Sequence, residues 1–276
     1  MSSASSARVA LLCGSGRYPV LAAAELLRQG IELVAVAPFG ETDPELRSTR
    51  VRLREFPFFR LARLLEILRE EGAARAVMMG KLHKVRIYGR FELDDLALSI
   101  YRRLPDRRDD TLLRAVVETL EAHGVRVDPA TRYLQSWMAP AALLNGLPLS
   151  ERELEDVRFG LGMAKGIGGL DLGQTVVVKD RAVVAVEAIE GTDQAILRAG
   201  QLAGPGTVVV KTAKPEQDFR FDVPGAGLET LRYMEAARAR VLAVEAGKVM
   251  LLEREKMTAL AAALGISILG VAAGPA

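Results

Sequence analysis

An apolar strand followed at once by a glycine-rich loop and a helix opens this chain, and few folds accommodate that order. Residues 8–12 read as the strand. Gly14-Ser15-Gly16-Arg17-Tyr18-Pro19 is the loop, and residues 20–29 carry a helical pattern. Gly30 is a natural stop, and residues 32–37 form a second strand. A strand–loop–helix–strand unit builds an α/β protein. Loop amides at a helix N-terminus can receive a phosphate or another anion. A tight turn that simply starts a helix is the plainer alternative. The match to G-x-G-x-x-G is incomplete, because Pro19 stands where the third glycine belongs. The second strand ends at Ala37-Pro38, with no acidic residue for a ribose hydroxyl. Both departures argue against a nicotinamide dinucleotide and the oxidoreductase it would imply.

The chain has 276 residues, enough for two domains or one large one. Half of it is hydrophobic while only 5% is aromatic, so Ala, Leu, Val and Gly must fill the core. That favours close packing of helices on sheets. A net charge of +2 gives no global reason to expect nucleic-acid binding. The single cysteine, Cys13, excludes an internal disulfide and a cysteine metal cluster. The two histidines, His83 and His123, leave little room for a histidine-rich metal site. Met-Ser-Ser-Ala-Ser-Ser at the start is a polar lead rather than a signal peptide. No apolar run is long enough to span a bilayer. A cytoplasmic location is expected, with contact at a membrane surface left open.

Further along, residues 58–72 form an amphipathic helix and residues 76–79 a third strand. Gly80-Lys81 and the basic residues His83, Lys84 and Arg86 follow. Strand ends in open α/β sheets are where ligands sit, so Lys81 is a candidate phosphate contact. Asp109 and Asp110 open a helix that ends near His123. Capping the free amides explains one of them and leaves the other for a site. Residues 125–127 are another strand. Residues 133–150 lack a clean period and carry turn residues, so they read as a linker. The expected organisation is an N-terminal Rossmann-like domain over 1–132 and a C-terminal mixed α/β domain over 151–276, with a ligand cleft between them.

In the second domain a helix is expected from 151 to about 166. A hairpin of 175–179 and 182–188 turns at Asp180-Arg181, a less usual turn pair. Thr192 or Asp193 can cap the helix that follows. Strand alternation puts Glu187 and Ile189 on one face and Ala188 and Glu190 on the other. A glutamate in an apolar strand is costly to bury alone, so Glu187 or Glu190 is a candidate metal or base carboxylate. Residues 228–239 and 254–264 read as helices, and 241–244, 249–252 and 266–271 as strands.

The stretch 211–227, Lys-Thr-Ala-Lys-Pro-Glu-Gln-Asp-Phe-Arg-Phe-Asp-Val-Pro-Gly-Ala-Gly, follows the apolar run Val208-Val209-Val210. That run delivers Lys211 and Lys214 to a sheet edge. Asp218 and Asp222 follow, with Arg220 between them. Cations and carboxylates on one punctuated loop are the parts needed to hold a phosphate and a divalent metal; a solvated loop with incidental charges is the alternative. No G-x-S-x-G elbow and no H-E-x-x-H are present. Cys13 looks like a small hydrophobe in a strand.

Several of these stretches occur in a fixed order. They are Leu12-Cys13-Gly14-Ser15-Gly16-Arg17-Tyr18-Pro19, Asp109-Asp110-Thr111-Leu112-Leu113-Arg114, Asp171-Leu172-Gly173-Gln174 and Val186-Glu187-Ala188-Ile189-Glu190-Gly191-Thr192-Asp193, then Lys211-Thr212-Ala213-Lys214-Pro215-Glu216-Gln217-Asp218, Phe221-Asp222-Val223-Pro224 and Glu245-Ala246-Gly247-Lys248. Together they resemble the magnesium-dependent UDP-2,3-diacylglucosamine pyrophosphatases of lipid A biosynthesis, the type unrelated to calcineurin-like phosphoesterases. The loop at Gly80-Lys81 is only loosely family-like, and residues 84–105 do not align.

The resemblance implies hydrolysis of UDP-2,3-diacylglucosamine to 2,3-diacylglucosamine 1-phosphate (lipid X) and UMP, with water attacking the α-phosphorus. It puts the essential aspartate at Asp222. Magnesium dependence comes with the resemblance, and the residues themselves suggest that Asp222, with Asp218 or Glu190, would hold Mg²⁺. Substrate contacts fall on Gly14, Ser15, Gly16, Lys81, Asp110, Gln174, Thr192, Lys211, Lys214 and Gln217. Helix residues such as 161–167 would line an apolar trough for the acyl chains. The lipid-linked nucleotide implies transient, peripheral contact with the cytoplasmic face of the inner membrane. A homodimer is left open. A non-catalytic lipid-nucleotide or sugar-nucleotide binding protein is the competing reading.

Overall fold

The computed structural model describes residues 8–80, 92–106 and 108–272. They form two α/β units, one of Met1–Leu134 with Asp218–Asp222, the other of Gln135–Gln217 with Val223–Ala276.

Unit 1 begins with β1 (Val9–Cys13), α1 (Tyr18–Arg28), β2 (Leu33–Pro38), α2 (Glu45–Ser48) and β3 (Arg52–Phe56). It continues with α3 (Leu61–Glu70), β4 (Arg75–Met79), α4 (Asp95–Arg103), α5 (Asp109–Ala122) and β5 (Arg126–Asp128). The strands lie in the order β3-β2-β1-β4-β5, all parallel. This is the order of a doubly wound sheet, whose direction reverses between β1 and β4. The Rossmann-like expectation holds. One face of the sheet, carrying Ala10, Leu12, Val34 and Val36, packs with Leu64, Ile67 and Leu68 of α3 and Val117 and Leu120 of α5. Phe221 sits in the same core, and Arg220 pairs with Glu121 of α5 at 3.1 Å. Those two side chains explain why Asp218–Asp222 belongs to unit 1.

Three elements of unit 1 went unread in the sequence, the single-turn α2 among them. Strand β3 is Arg-Leu-Arg-Glu-Phe, an edge strand too charged to show an apolar run. Helix α4 begins at Asp94, whose carboxylate accepts from Ala97 N at 2.8 Å and, at the start of α3, from Ala62 N at 2.7 Å.

Unit 2 contains α6 (Glu151–Gly169), β6 (Thr175–Lys179), β7 (Ala182–Val186), α7 (Thr192–Ala203), β8 (Val208–Lys211) and β9 (Gly225–Ala226). After them come α8 (Leu228–Ala236), β10 (Val241–Glu245), β11 (Met250–Leu251), α9 (Arg254–Ala263) and β12 (Ser267–Val271). Its main sheet has the order β12-β10-β8-β6-β7. Strands β12, β10 and β8 are parallel, and β6 runs antiparallel to both β8 and β7. Val176, Val178, Val208, Val210, Val241 and Ala243 face α6. Val177, Val209, Leu242 and Val244 face α7, α8 and α9. Apart from their last residues, Lys211 and Glu245, β8 and β10 are apolar and covered on both sides, as a central parallel pair must be.

Of the expected linker, residues 133–150, the first two belong to unit 1 and residues 135–150 form part of unit 2. Ala139 N donates to Val249 O and Leu144 N to Ile268 O, each at 2.9 Å. The β6–β7 turn has Asp180 and Arg181 both at φ 56°, the left-handed pair that a two-residue hairpin requires. Their amides donate to the Asp156 carboxylate at 3.0 and 2.6 Å. Strand β7 stops at Val186, so the alternation argument does not reach Glu187 or Glu190; both lie in the turn beyond it. Gly191, not Thr192 or Asp193, occupies the N-cap of α7. The Thr192 hydroxyl has other partners.

Candidate functional site

Four chain segments end together at one edge of the unit 2 sheet. Strands β8 and β10 arrive there with their carboxyl ends, Lys211 and Glu245. Strand β6 starts there with Thr175, paired in register with Lys211, and Glu187 N donates to Thr175 O at 2.9 Å just past β7. The carboxyl edge of parallel strands is where ligands bind in open α/β sheets. It is also where this sheet buries charge, with Lys211 5% and Glu245 2% exposed.

On the α7 face, Lys211 Nζ donates to Thr192 Oγ1 at 2.7 Å and lies 3.4 Å from Thr175 Oγ1. Thr192 Oγ1 donates to Glu187 Oε1 at 2.8 Å. Gln174 N reaches Glu187 Oε2 at 3.4 Å. Burial pushes the Glu187 carboxyl up. The Lys211 charge, the Thr175 and Thr192 hydroxyls and the Gln174 amide outweigh it, and hold the group below its ordinary value.

On the α6 face, Lys165 Nζ meets Glu245 Oε2 at 2.5 Å and Ala213 O at 2.8 Å. Ala213 N donates to the same carboxylate oxygen at 3.0 Å, and Lys248 stands 3.0 Å from the other. Burial raises the Glu245 carboxyl, while Lys165, Lys248 and the Ala213 amide bring it below its ordinary value. Next along the chain, Lys214 Nζ pairs with Asp171 at 2.6 Å, and Gln217 Oε1 accepts from Lys214 N at 3.1 Å. Gln174 Oε1 and Thr212 Oγ1 are buried with no hydrogen-bond partner among the described residues. Buried polar atoms without a partner are uncommon, and a water, an ion or a ligand can complete their bonding.

The structure therefore gathers Gln174, Thr192, Lys211, Lys214 and Gln217 at one sheet edge of unit 2. Gly14, Ser15, Gly16 and Asp110 lie in unit 1. There the loop after β1 closes on β4 through Gly14 N to Met79 O at 2.8 Å. Gly80, at φ 99°, packs so closely on Gly14 and Pro19 that a Cβ would stand 2.8 Å from Gly14 C. Asp110 is in the first turn of α5. Lys81 lies outside the described residues. Cys13 is buried, with its thiol pushed up to about 12 by burial, which fits the structural role expected of it. Leu161 and Ile167 pack against the unit 2 core, while Met163 faces out.

The three candidate metal carboxylates have different surroundings. Asp218 is held by Arg220 at 2.7 Å, which draws its carboxyl below the ordinary value against the effect of burial. Glu190 is paired with Arg198 at 2.8 Å. Asp222, half-buried, closes a turn through its amide to Asp218 O at 3.2 Å. Among the described residues no group of three or more His, Cys, Asp or Glu side chains is placed to hold a metal ion. Mg²⁺ commonly takes only one or two protein carboxylates and completes its shell with phosphate oxygens and water. A share of one or two carboxylates is what Asp222, Asp218 and Glu190 could offer; Asp218 and Glu190 would first have to exchange an arginine.

Sequence reasoning missed Thr175, Lys165 and the Glu245 carboxylate as site members, and of the two glutamates it placed Glu190 rather than Glu187 in the site. Thr175 and Lys165 carry no local signal. Glu245 was visible as a charged residue closing an apolar strand.

Two family models match the chain. The LpxI N-terminal domain covers residues 8–137 and the LpxI C-terminal domain residues 140–269. A curated relative from Caulobacter vibrioides, named UDP-2,3-diacylglucosamine pyrophosphatase LpxI, is 29% identical over 280 residues. The match covers 96% of this chain and 97% of the relative.

Proposed function

Because this chain belongs to the LpxI family, we propose that it is an enzyme that hydrolyses UDP-2,3-diacylglucosamine to 2,3-diacylglucosamine 1-phosphate (lipid X) and UMP in lipid A biosynthesis. The observation that carries this is the match, along almost the whole of both chains, to a relative named for that reaction. The buried lysine edge of unit 2 supports it in physical terms. A pyrophosphate diester carries two negative charges, which must be offset before water can approach phosphorus. Lys211, held by Thr192, supplies one fixed cation there, and Lys214 supplies a second once it exchanges Asp171 for a phosphate oxygen. The orphan Gln174 and Thr212 oxygens accept hydrogen bonds from the substrate.

Asp222 is the residue on which activity depends most. It also provides the carboxylate for Mg²⁺, which when bound neutralises charge on the phosphates. The substrate is lipid-linked, and the protein meets it at the cytoplasmic face of the inner membrane by transient contact. Among the described residues no helix is long and apolar enough to cross a membrane. Leu170, Leu172 and Ile189 project from two turns at the site edge, with Leu170 72% and Ile189 78% exposed. Such tips suit a lipid surface. The homodimer left open by the sequence is read directly by sedimentation velocity.

Purified protein incubated with UDP-2,3-diacylglucosamine and Mg²⁺ should release UMP. A stable complex with no turnover would favour the binding-protein reading instead. Excess EDTA should stop turnover and added Mg²⁺ restore it; full activity in EDTA would refute the metal role. Hydrolysis in ¹⁸O-water assigns the attacked atom. Label in UMP marks the α-phosphorus expected above, and label in lipid X marks the β-phosphorus.

A further inference from the structure

A buried lysine without partners tends to lose its proton or turn toward water. The Lys211 side chain is held in place by a short chain of hydrogen bonds. Its Nζ donates to Thr192 Oγ1 at 2.7 Å, and Thr192 Oγ1 donates to Glu187 Oε1 at 2.8 Å. A hydroxyl has one proton. With that proton committed to Glu187, Thr192 offers Lys211 only lone pairs, so the direction of the chain is fixed. The other Glu187 oxygen takes the Gln174 amide at 3.4 Å. The carboxylate thereby ties together the start of α7, the end of β8 and the turn before β6.

We propose that Glu187 is a positioning residue for pyrophosphate hydrolysis: acting through Thr192, it holds the Lys211 ammonium in one orientation with a donor left for a phosphate oxygen. This rests on the function proposed above. A lysine ammonium has three donors. Two of them meet the hydroxyls of Thr192 and Thr175, which leaves one. Glu187 stays anionic at neutral pH because its carboxyl lies below the ordinary value, Lys211 and the neighbouring donors outweighing burial. Its two oxygens are occupied by protein donors, so its effect on substrate passes through Lys211. Without the carboxylate, the Thr192 proton is released to turn toward Lys211, and the ammonium loses its anchor.

A double-mutant cycle in the full-length protein tests this. The variants are Glu187→Gln, Lys211→Met and the pair, assayed for UMP release, with Thr192→Val and Thr192→Ser beside them. Glu187→Gln should lower kcat by about 10- to 100-fold, the range for displacing a positioned group, and move KM much less. In the Lys211→Met background the same change should cost less than about twofold, because residues acting through one another are not additive. Thr192→Val should behave like Glu187→Gln, and Thr192→Ser should retain activity. Thr192→Val removes only the bridging hydroxyl, so it carries the test if Glu187→Gln fails to fold. The ¹H–¹⁵N signal of the Lys211 ammonium gives a readout independent of turnover. It should be visible in the wild type and lost to water exchange in Glu187→Gln. A wild-type protein that releases no UMP overturns the hydrolysis reading and the catalytic part of this proposal. Independent, multiplicative losses in an active enzyme, or an unchanged Lys211 signal, overturn the positioning role alone.

Discussion

Gly173 lies so close to Glu187 that a Cβ on the glycine would collide with the Glu187 carbonyl oxygen. The turn that carries Gln174 and the turn that carries Glu187 are thus pressed together by backbone, with no side chain between them. Gly173→Ala should push the two apart and destabilise the protein by about 1–3 kcal/mol, the usual cost of overpacking. Urea denaturation measures this. A variant as stable as the parent would show that the contact is loose.

Lys165 and Glu245 form a second tie, at 2.5 Å, on the opposite face of the sheet. Removing one partner of a buried pair leaves the other uncompensated, at a cost of about 3–5 kcal/mol. Lys165 is about one-third exposed and Lys248 remains beside Glu245, so Lys165→Met should fall at or below the lower end of that range. Glu245→Gln should cost less than Lys165→Met, because the lysine it leaves behind can reach water. Equilibrium unfolding of both variants gives the order; the reverse order would contradict the assignment of Glu245 as the buried partner.

Acid should weaken unit 2 through Glu187 and Glu245. Both carboxyls lie below their ordinary value in the folded chain, chiefly because nearby lysines and hydrogen-bond donors outweigh the effect of burial. A depressed carboxyl contributes stability that is complete above the unfolded value of about 4.3 and is lost as pH falls through the folded value. Stability should therefore be flat in these groups near neutrality and decline below about pH 4.5. Glu187→Gln and Glu245→Gln should each flatten that decline. Unfolding free energy followed against pH is the check, and an acid limb unchanged in both variants would contradict it.

The apolar tips make a further prediction. Leu172→Glu combined with Ile189→Glu should reduce flotation with anionic phospholipid vesicles, since each charge opposes insertion into the interface. Turnover of a water-soluble short-chain substrate should change little. Equal flotation of parent and variant would remove these residues from any membrane contact.

The fold was legible wherever a segment showed a plain period. Strands β1 and β2 are uninterrupted apolar runs because both faces of a parallel sheet are covered, and β8 is one up to its terminal Lys211. Strand β3 was not legible, since an edge position tolerates its three charges. The site was legible at Lys211, where three valines aim the lysine at a sheet edge. It was not legible at Glu187, because the choice between Glu187 and Glu190 depends on Thr175, Thr192 and Lys211, which approach from other segments. The membership of Asp218–Asp222 in unit 1 was equally hidden. It follows from Phe221 and Arg220 finding partners near α5, far away in the chain.

The most direct measurement of the central claim is UMP release from UDP-2,3-diacylglucosamine by the wild type and by Asp222→Ala, with magnesium present. The account predicts rapid release by the wild type and a loss of about 100-fold or more in the variant, the scale seen when a group that stabilises transition-state charge is removed. Full activity in Asp222→Ala, with Lys211→Met equally active, would contradict it.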